Sequence, residues 1–338
     1  MLIRPSCLFV GPVVTALLAI MLAAWPASTS AQPATVDEPL RDYPAYTPKA
    51  DNLRGEMPTA NSGVTRSLLA QWSEPFAVHH PQVELKISST GSGGARRSLI
   101  SNNADLITMP MAWPKRDLDR YREQHRSAPK QVTFGTYVVG VVVNGKPRVR
   151  GVSIEGLAKV LSGPVEDRRW SSLGVSGKAG DKPVVVFIDP MLTNHVLLRS
   201  IFSDTLPTAD SPTDSTEATL AKVVSTDGAL GLIPFQHTDE KALKAHDLKW
   251  IKVGSEDDKL KPITPSIEDA FSGDYPLSRQ LVVSFNLSKN RDANQRVAEL
   301  LRYAASAEGQ TQSAEFGFVP LKYSLIQKQF KRAGLPEP

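Results

Sequence analysis

The apolar positions of this chain switch repeatedly between two periods. Leu68, Leu69, Trp72 and Phe76 fall on one face at helical spacing, and Ile154, Leu157, Val160 and Leu161 repeat that logic. Thr216 to Val224 and Ala293 to Ala307 are two further helical windows. Between them run short β-rich segments at Val83 to Ser88, Asp105 to Thr108, Pro183 to Ile188, Ala229 to Pro234, Leu248 to Val253 and Leu281 to Asn286. A longer β-branched run from Val132 to Asn144 is bounded by Gly145. Strands alternating with helices predict an α/β protein with mainly parallel sheets. Pro207 to Thr216 and Gly254 to Pro265 read as loops.

The first 31 residues stand outside this pattern. Arg4 gives a sparse positive start, Leu8 to Ala24 is almost wholly apolar, and Thr29-Ser30-Ala31 supplies small residues for cleavage. Residues 1–31 are therefore expected to be a signal peptide cleaved near Ala31, with Gly11 and Pro12 arguing against an uncleaved spanning helix. The lone cysteine, Cys7, leaves with it, so no disulfide, thiolate nucleophile or cysteine metal site is expected. Residues 32–52 carry Pro33, Pro39, Pro44 and Pro48 with few clustered apolar residues, which reads as a Pro-rich leader that adds no core.

The composition, 41% hydrophobic and 22% charged over 338 residues, suffices for a buried core and excludes a disordered tail. A net charge of only +4, scattered along the chain, gives no nucleic-acid footprint. The six histidines show no HExxH or paired metal spacing, no G-x-S-x-G elbow is present, and His79-His80 before Pro81 ends a helix as exposed imidazoles do. Neither an enzyme nor a cofactor is expected.

One loop carries chemistry. Ser88 to Arg97, with Gly91, Ser92, Gly93 and Gly94, lies between a strand and a helix, where unsatisfied N–H groups can face an anion and Ser92 can turn its hydroxyl proton toward it. It is neither a P-loop nor a dinucleotide fingerprint, and an ordinary tight turn would use the same glycines. Arg96 and Arg97 lend positive potential or form a solvated helix face, the latter being favoured.

Taken together, several segments resemble the phosphate-binding (PstS-like) periplasmic solute-binding proteins of ABC transporters, over residues 53 to 325. Asn61-Ser62-Gly63 ahead of the Leu68 to Phe76 helix is similar to the first binding loop, and Thr90 to Gly94 to the second. Trp170 to Gly174, Gly228 to Phe235, Tyr275 to Arg279, Glu308-Gly309-Gln310 and Gly317 to Leu321 follow in the family's order. The resemblance implies a type II periplasmic-binding-protein fold: two α/β lobes joined by two crossovers around a central cleft. Residues 53–131 and 254–338 would form lobe 1, and 132–253 lobe 2. It further implies a periplasmic monomer that captures phosphate or a related small oxyanion for an inner-membrane ABC permease. The ligand residues carried over are Ser62, Gly63, Ser92, Gly93, Gly94, Thr193 and Asn194.

Other positions depart from that pattern. Where the family places Ser-Arg in its third loop this chain has Pro110-Met111, and in the fourth Phe187 and Met191 stand for Arg and Ser. Apolar side chains cannot supply bidentate, charge-assisted recognition. Met109, Met111, Phe187 and Met191 either pack the core or give an apolar mouth, and the second case describes a diverged receptor-like protein that binds another solute or a protein partner. Asp189 fits two roles, accepting a ligand proton or capping the helix ahead of Thr193 and Asn194.

Overall fold

The computed structural model describes residues 40–144, 149, 151–193, 196–202, 208–255, 261–287 and 290–338. The proposed signal peptide, Asn194 and His195 lie outside them, as do parts of both interior loops. The strands are β1 (Arg54–Asn61), β2 (Gln82–Ser89), β3 (Leu106–Met109), β4 (Lys130–Asn144), β5 (Val152–Ser153), β6 (Val185–Ile188), β7 (Ala229–Pro234), β8 (Leu248–Trp250), β9 (Val253–Gly254), β10 (Ser278–Phe285) and β11 (Val319–Pro320). The helices are α1 (Gly63–His79), α2 (Gly91–Ile100), α3 (Lys115–His125), α4 (Ile154–Ser162), α5 (Pro190–Thr193), α6 (Val196–Ile201), α7 (Thr216–Ser225), α8 (Glu240–Ala245), α9 (Ile267–Ser272), α10 (Arg291–Ala304), α11 (Ala307–Glu315) and α12 (Tyr323–Ala333).

Nine strands form one sheet with the path β2-β1-β3-β10-β4-β7-β6, and β8 and β11 also pair with β4. The sheet is mixed, which corrects the expectation of mainly parallel pairing. β1 is parallel to β2 and β3, and β6 to β7, but every partner of β4 and both partners of β10 are antiparallel. β4 runs through both halves: Lys130 to Val138 pair with β10, Val139 to Val143 with β7. The sequence-based border at residue 132 therefore falls inside this strand. The chain crosses again at Tyr275 to Leu277, where the Leu277 carbonyl accepts from Val139 N at 2.9 Å and the Tyr275 hydroxyl donates to the Val139 carbonyl.

Burial on both faces explains why β4 reads as a nearly unbroken apolar run. From Phe134 to Asn144 every residue is buried. On α1, Leu68, Leu69, Trp72 and Phe76 all face the core, as their spacing predicts. Pro75 removes the N–H that would serve the Gln71 carbonyl, and Gln312 Nε2 donates to that carbonyl instead at 3.2 Å, so the helix survives its proline. Trp72 Nε1 donates to the Gly309 carbonyl, and a Cβ on Gly309 would lie 2.2 Å from the Tyr303 carbonyl oxygen, so only glycine permits this helix contact. The single helix expected over Ala293 to Ala307 ends at Ala304, and α11 starts afresh with Ser306 as its cap.

Two expectations fail away from the cleft. From Leu40 onward the segment read as a coreless leader is docked: Tyr43 and Tyr46 are buried, the Tyr43 hydroxyl donates to the Leu321 carbonyl at 2.6 Å, and the Tyr46 hydroxyl donates to Glu299 at 2.9 Å. Two isolated aromatics suffice because distant elements supply their surroundings: Tyr43 meets the Tyr323 ring edge-on at the start of α12, and Tyr46 meets His79 of α1 and Tyr303 of α10. The same contact buries His80, whose Nε2 lies 2.8 Å from the Tyr46 hydroxyl, so only His79 of the pair is exposed. Burial holds the His80 imidazole below its ordinary value, against the opposing pull of Glu299.

Candidate functional site

Strand directions define the place. β3 runs parallel to β4 and β7 antiparallel to it, so their carboxyl ends point at each other. Met109 closes β3 opposite Val282, which pairs with Thr133; Pro234 closes β7 opposite Val139. The two ends are therefore separated by six residues of β4, about 20 Å along the strand. Loops at the carboxyl ends of strands on both sides face this gap, the usual position of ligands in open α/β sheets.

On the first side, register places Asn61 beside Ser89, which brings the Ser62-Gly63 and Gly91–Gly94 turns together. Asn61 is fully buried and holds three strands: Nδ2 donates to Thr59 Oγ1 and to the Ser88 carbonyl, while Oδ1 accepts from Thr108 Oγ1 at 2.8 Å and Thr108 N at 3.3 Å. Ser62 caps α1. Its Oγ accepts from Thr65 N and lies 2.9 Å from Thr65 Oγ1, whose own proton goes to the Thr108 carbonyl at 2.8 Å. The Ser62 proton is thereby spent on Thr65, leaving exposed Gly63 as this loop's outward group.

The second turn is less committed. Gly91 takes φ +67°, a left-handed conformation that favours glycine, and α2 starts with no side-chain cap bond from Thr90. Ser92, Gly93 and Gly94 are partly exposed in its first turn, where helix N–H groups lack intrahelical partners. Exposed Arg97 folds back over this turn, with Nη1 3.5 Å from where a Cβ on Gly93 would stand.

Arg96 behaves otherwise, correcting the favoured reading of a solvated face. It is only 8% exposed, and its Nε donates to Asp117 Oδ2 at 2.6 Å. Burial alone would raise the Asp117 carboxyl; hydrogen bonds from Arg96 and Arg116 override it and hold the group below its ordinary value. The partner sits on α3, beyond the reach of helix periodicity.

Across the gap, β6 leads into α5. Thr193 ends that helix, its side chain lying with Asn194 outside the description. Phe187 is 4% exposed and packs with Val142, Leu220 and Ile233, and Met109 is fully buried beside Ala95 and Leu99. Both are core residues, so neither forms an apolar mouth; strand alternation turns Phe187 to the face opposite Val186 and Ile188. Met111 and Met191 remain partly exposed.

Asp189 caps its own turn. Oδ1 accepts from Met191 N at 2.8 Å, and Oδ2 accepts from Thr216 Oγ1. Because the Thr216 proton is used there, His237 Nδ1, 3.1 Å away, must be the donor to Thr216 Oγ1. Burial lowers the His237 pKa, partly opposed by Asp189 and Glu217. Burial and the Asp189 charge together push the Tyr137 phenol upward. Sequence periodicity gave no sign of this largely buried Asp189–Thr216–His237 chain, since its members come from three separate parts of the sequence.

Two half-sheets, one containing the parallel strands β2-β1-β3 and the other β6-β7, joined by one long shared strand and a second crossing of the chain, constitute the type II periplasmic-binding-protein fold. A crystal structure of a "possible phosphate binding protein" from Planctomyces limnophilus matches with a TM-score of 0.68 at 18% identity, covering 84% of this chain and 99% of the other. PstS from Borrelia burgdorferi matches with a TM-score of 0.54 at 15% identity, covering 80% and 100%. The phosphate-binding protein PstS of Pseudomonas aeruginosa is 22% identical over 318 residues, spanning 89% of this chain and 93% of that protein. Residues 45–308 match the PBP superfamily domain, and the chain belongs to that superfamily.

Proposed function

We propose that this protein is an exported, periplasmic solute receptor that captures phosphate, or a related small oxyanion, for an ABC importer. The observation that carries this reading is the pairing of two strand-to-helix turns, Ser62-Gly63 and Gly91–Gly94, on a frame locked by Asn61. A dry oxyanion needs several donors converging on it, and two adjacent helix starts provide them without side-chain ordering. Gly63, Ser92, Gly93 and Gly94 supply first-side donors, with Ser62 fixing the turn and Arg97 contributing positive potential. Thr193 and Asn194 would close from the second side. Ligand contacts on both sides favour the closed population, which the permease would read.

Calorimetry of the folded, ligand-free protein tests this. Micromolar to low-millimolar phosphate is expected to bind, and Ser92→Trp to weaken it at least a hundredfold. No binding at millimolar phosphate, or unchanged affinity in the variant, overturns the proposal. A second reading, a receptor for a different solute, is favoured by Pro110 and Met111 occupying the third loop, where no side chain donates.

A further inference from the structure

The imidazole at the end of the second-side chain has one nitrogen left over. Both Asp189 oxygens accept, Thr216 gives its only hydroxyl proton to Oδ2, and His237 Nδ1 donates to Thr216 Oγ1 at 3.1 Å. A neutral imidazole carries a single N–H, so this order leaves a lone pair on Nε2. Burial lowers the His237 pKa and favours that neutral form. Among the described residues no group hydrogen-bonds to Nε2.

Its direction follows from the ring. Nδ1 and Nε2 lie on opposite edges of an imidazole, and Nδ1 is turned toward Thr216 and Asp189, which are 7% and 0% exposed. His237 itself is partly exposed, so Nε2 points away from the buried pair. Asp189 follows the carboxyl end of β6, Thr216 opens α7, and His237 follows the carboxyl end of β7. These are the strand ends that border the gap, and the outward nitrogen stands on their side of the molecule.

An acceptor there complements the opposite turns. Helix-start N–H groups can take the bare oxygens of an oxyanion but cannot take an O–H proton, whereas a lone pair repels a bare oxygen and attracts a hydroxyl. We propose that His237 Nε2 is a ligand contact from the second side, accepting the O–H hydrogen of a hydrogen-bearing tetrahedral oxyanion while Thr216 and Asp189 hold the ring in the required tautomer. The contact presupposes the phosphate-receptor reading and adds to it a residue and the protonation state of the bound ion.

Long-range proton–nitrogen NMR of the folded, ligand-free, ¹⁵N-labelled protein tests this at about pH 8, above the ordinary imidazole range. With His237 assigned through the backbone, a protonated Nδ1 and a bare Nε2 are expected. Titration with inorganic phosphate should move the Nε2 resonance to lower frequency and leave Nδ1 nearly in place. His237→Asn, whose amide nitrogen replaces Nδ1 and leaves nothing at Nε2, should fold normally by circular dichroism and bind phosphate at least tenfold more weakly in calorimetry. A proton on Nε2 in the ligand-free protein, an Nε2 resonance unmoved by saturating phosphate, or unchanged affinity in His237→Asn each overturns the contact and leaves the receptor reading standing. Absence of phosphate binding to the unmodified protein overturns both. Where His237→Asn fails to fold, the titration of the unmodified protein decides alone.

Discussion

The strand ends that face each other along β4 use the same local device to opposite effect. After β1 and β2 the polar side chains look inward to the strands: Asn61 ties β1, β2 and β3 together, Ser62 and Thr65 spend their hydroxyls on the loop, and the main chain of the helix starts is left toward the gap. After β6 the turn satisfies itself. Asp189 takes Met191 N and Thr216 Oγ1, and the next residues down the strand are core. Among the described residues, main-chain donors facing the gap are thus concentrated on the first side, while the second contributes a pre-satisfied carboxylate. If the proposed oxyanion binds here, its specificity would depend on backbone placement on the first side more than on the described side chains of the second.

The largest expected effect comes from forcing the second side to match the family pattern. Phe187→Arg places a guanidinium among Val142, Leu220 and Ile233, with Lys222 Nζ only 5.5 Å from the present ring centre. Lost aromatic packing alone costs about 3–5 kcal/mol, and a buried charge beside another cation adds to it. Urea unfolding should show a midpoint collapsed by at least that amount, with no gain in phosphate affinity. A variant that folds normally and binds phosphate more tightly would mean that position 187 reaches the gap, and the contrast between the two sides would fail.

Much of the architecture was legible because burial on two faces leaves a strong signature. β7 matches its expected bounds, and β4 differs only at its start. β1 was not legible, since Gly55 and Pro58 interrupt it; Pro58 is tolerated in this central strand while its carbonyl accepts from Asp105 N at 2.8 Å. The site was legible as turns but not as chemistry. The Asn61-Ser62-Gly63 motif marks a helix start, yet nothing local reveals that Asn61 bridges to Ser88 and Thr108, nor that Arg96 finds Asp117. Side chains whose partners lie twenty or more residues away leave no periodic trace.

A middle-sized effect is expected from the first side. Asn61→Ala removes bonds to Thr59, Ser88 and Thr108 and leaves the Thr108 hydroxyl proton without its acceptor inside the protein. Unpaired buried polar groups cost about 1–3 kcal/mol each, so a loss of about 2–4 kcal/mol is expected in denaturant unfolding. Phosphate affinity should fall with it, because the two turns lose their common anchor. A stability loss without any change in binding would separate the frame from the cradle.

The smallest expected effect distinguishes the second side from the docked N-terminal segment through pH. His237 and His80 both have pKa values held below the ordinary 6.5 by burial. The unfolded chain therefore takes up protons near pH 6.5 that the folded protein refuses, so stability is complete above that value and declines as pH falls through it. Each such histidine contributes to a decline in stability between pH 7.5 and pH 5.5. In denaturant titrations at those two values, His237→Gln should flatten part of the decline while keeping a donor for Thr216, and His80→Gln should flatten a separate part. The double variant should show the sum, since the Asp189–Thr216–His237 chain and the Tyr46–Glu299 contact share no residue. A slope unchanged by His237→Gln would place that imidazole in solvent and remove the self-satisfied turn from the second side.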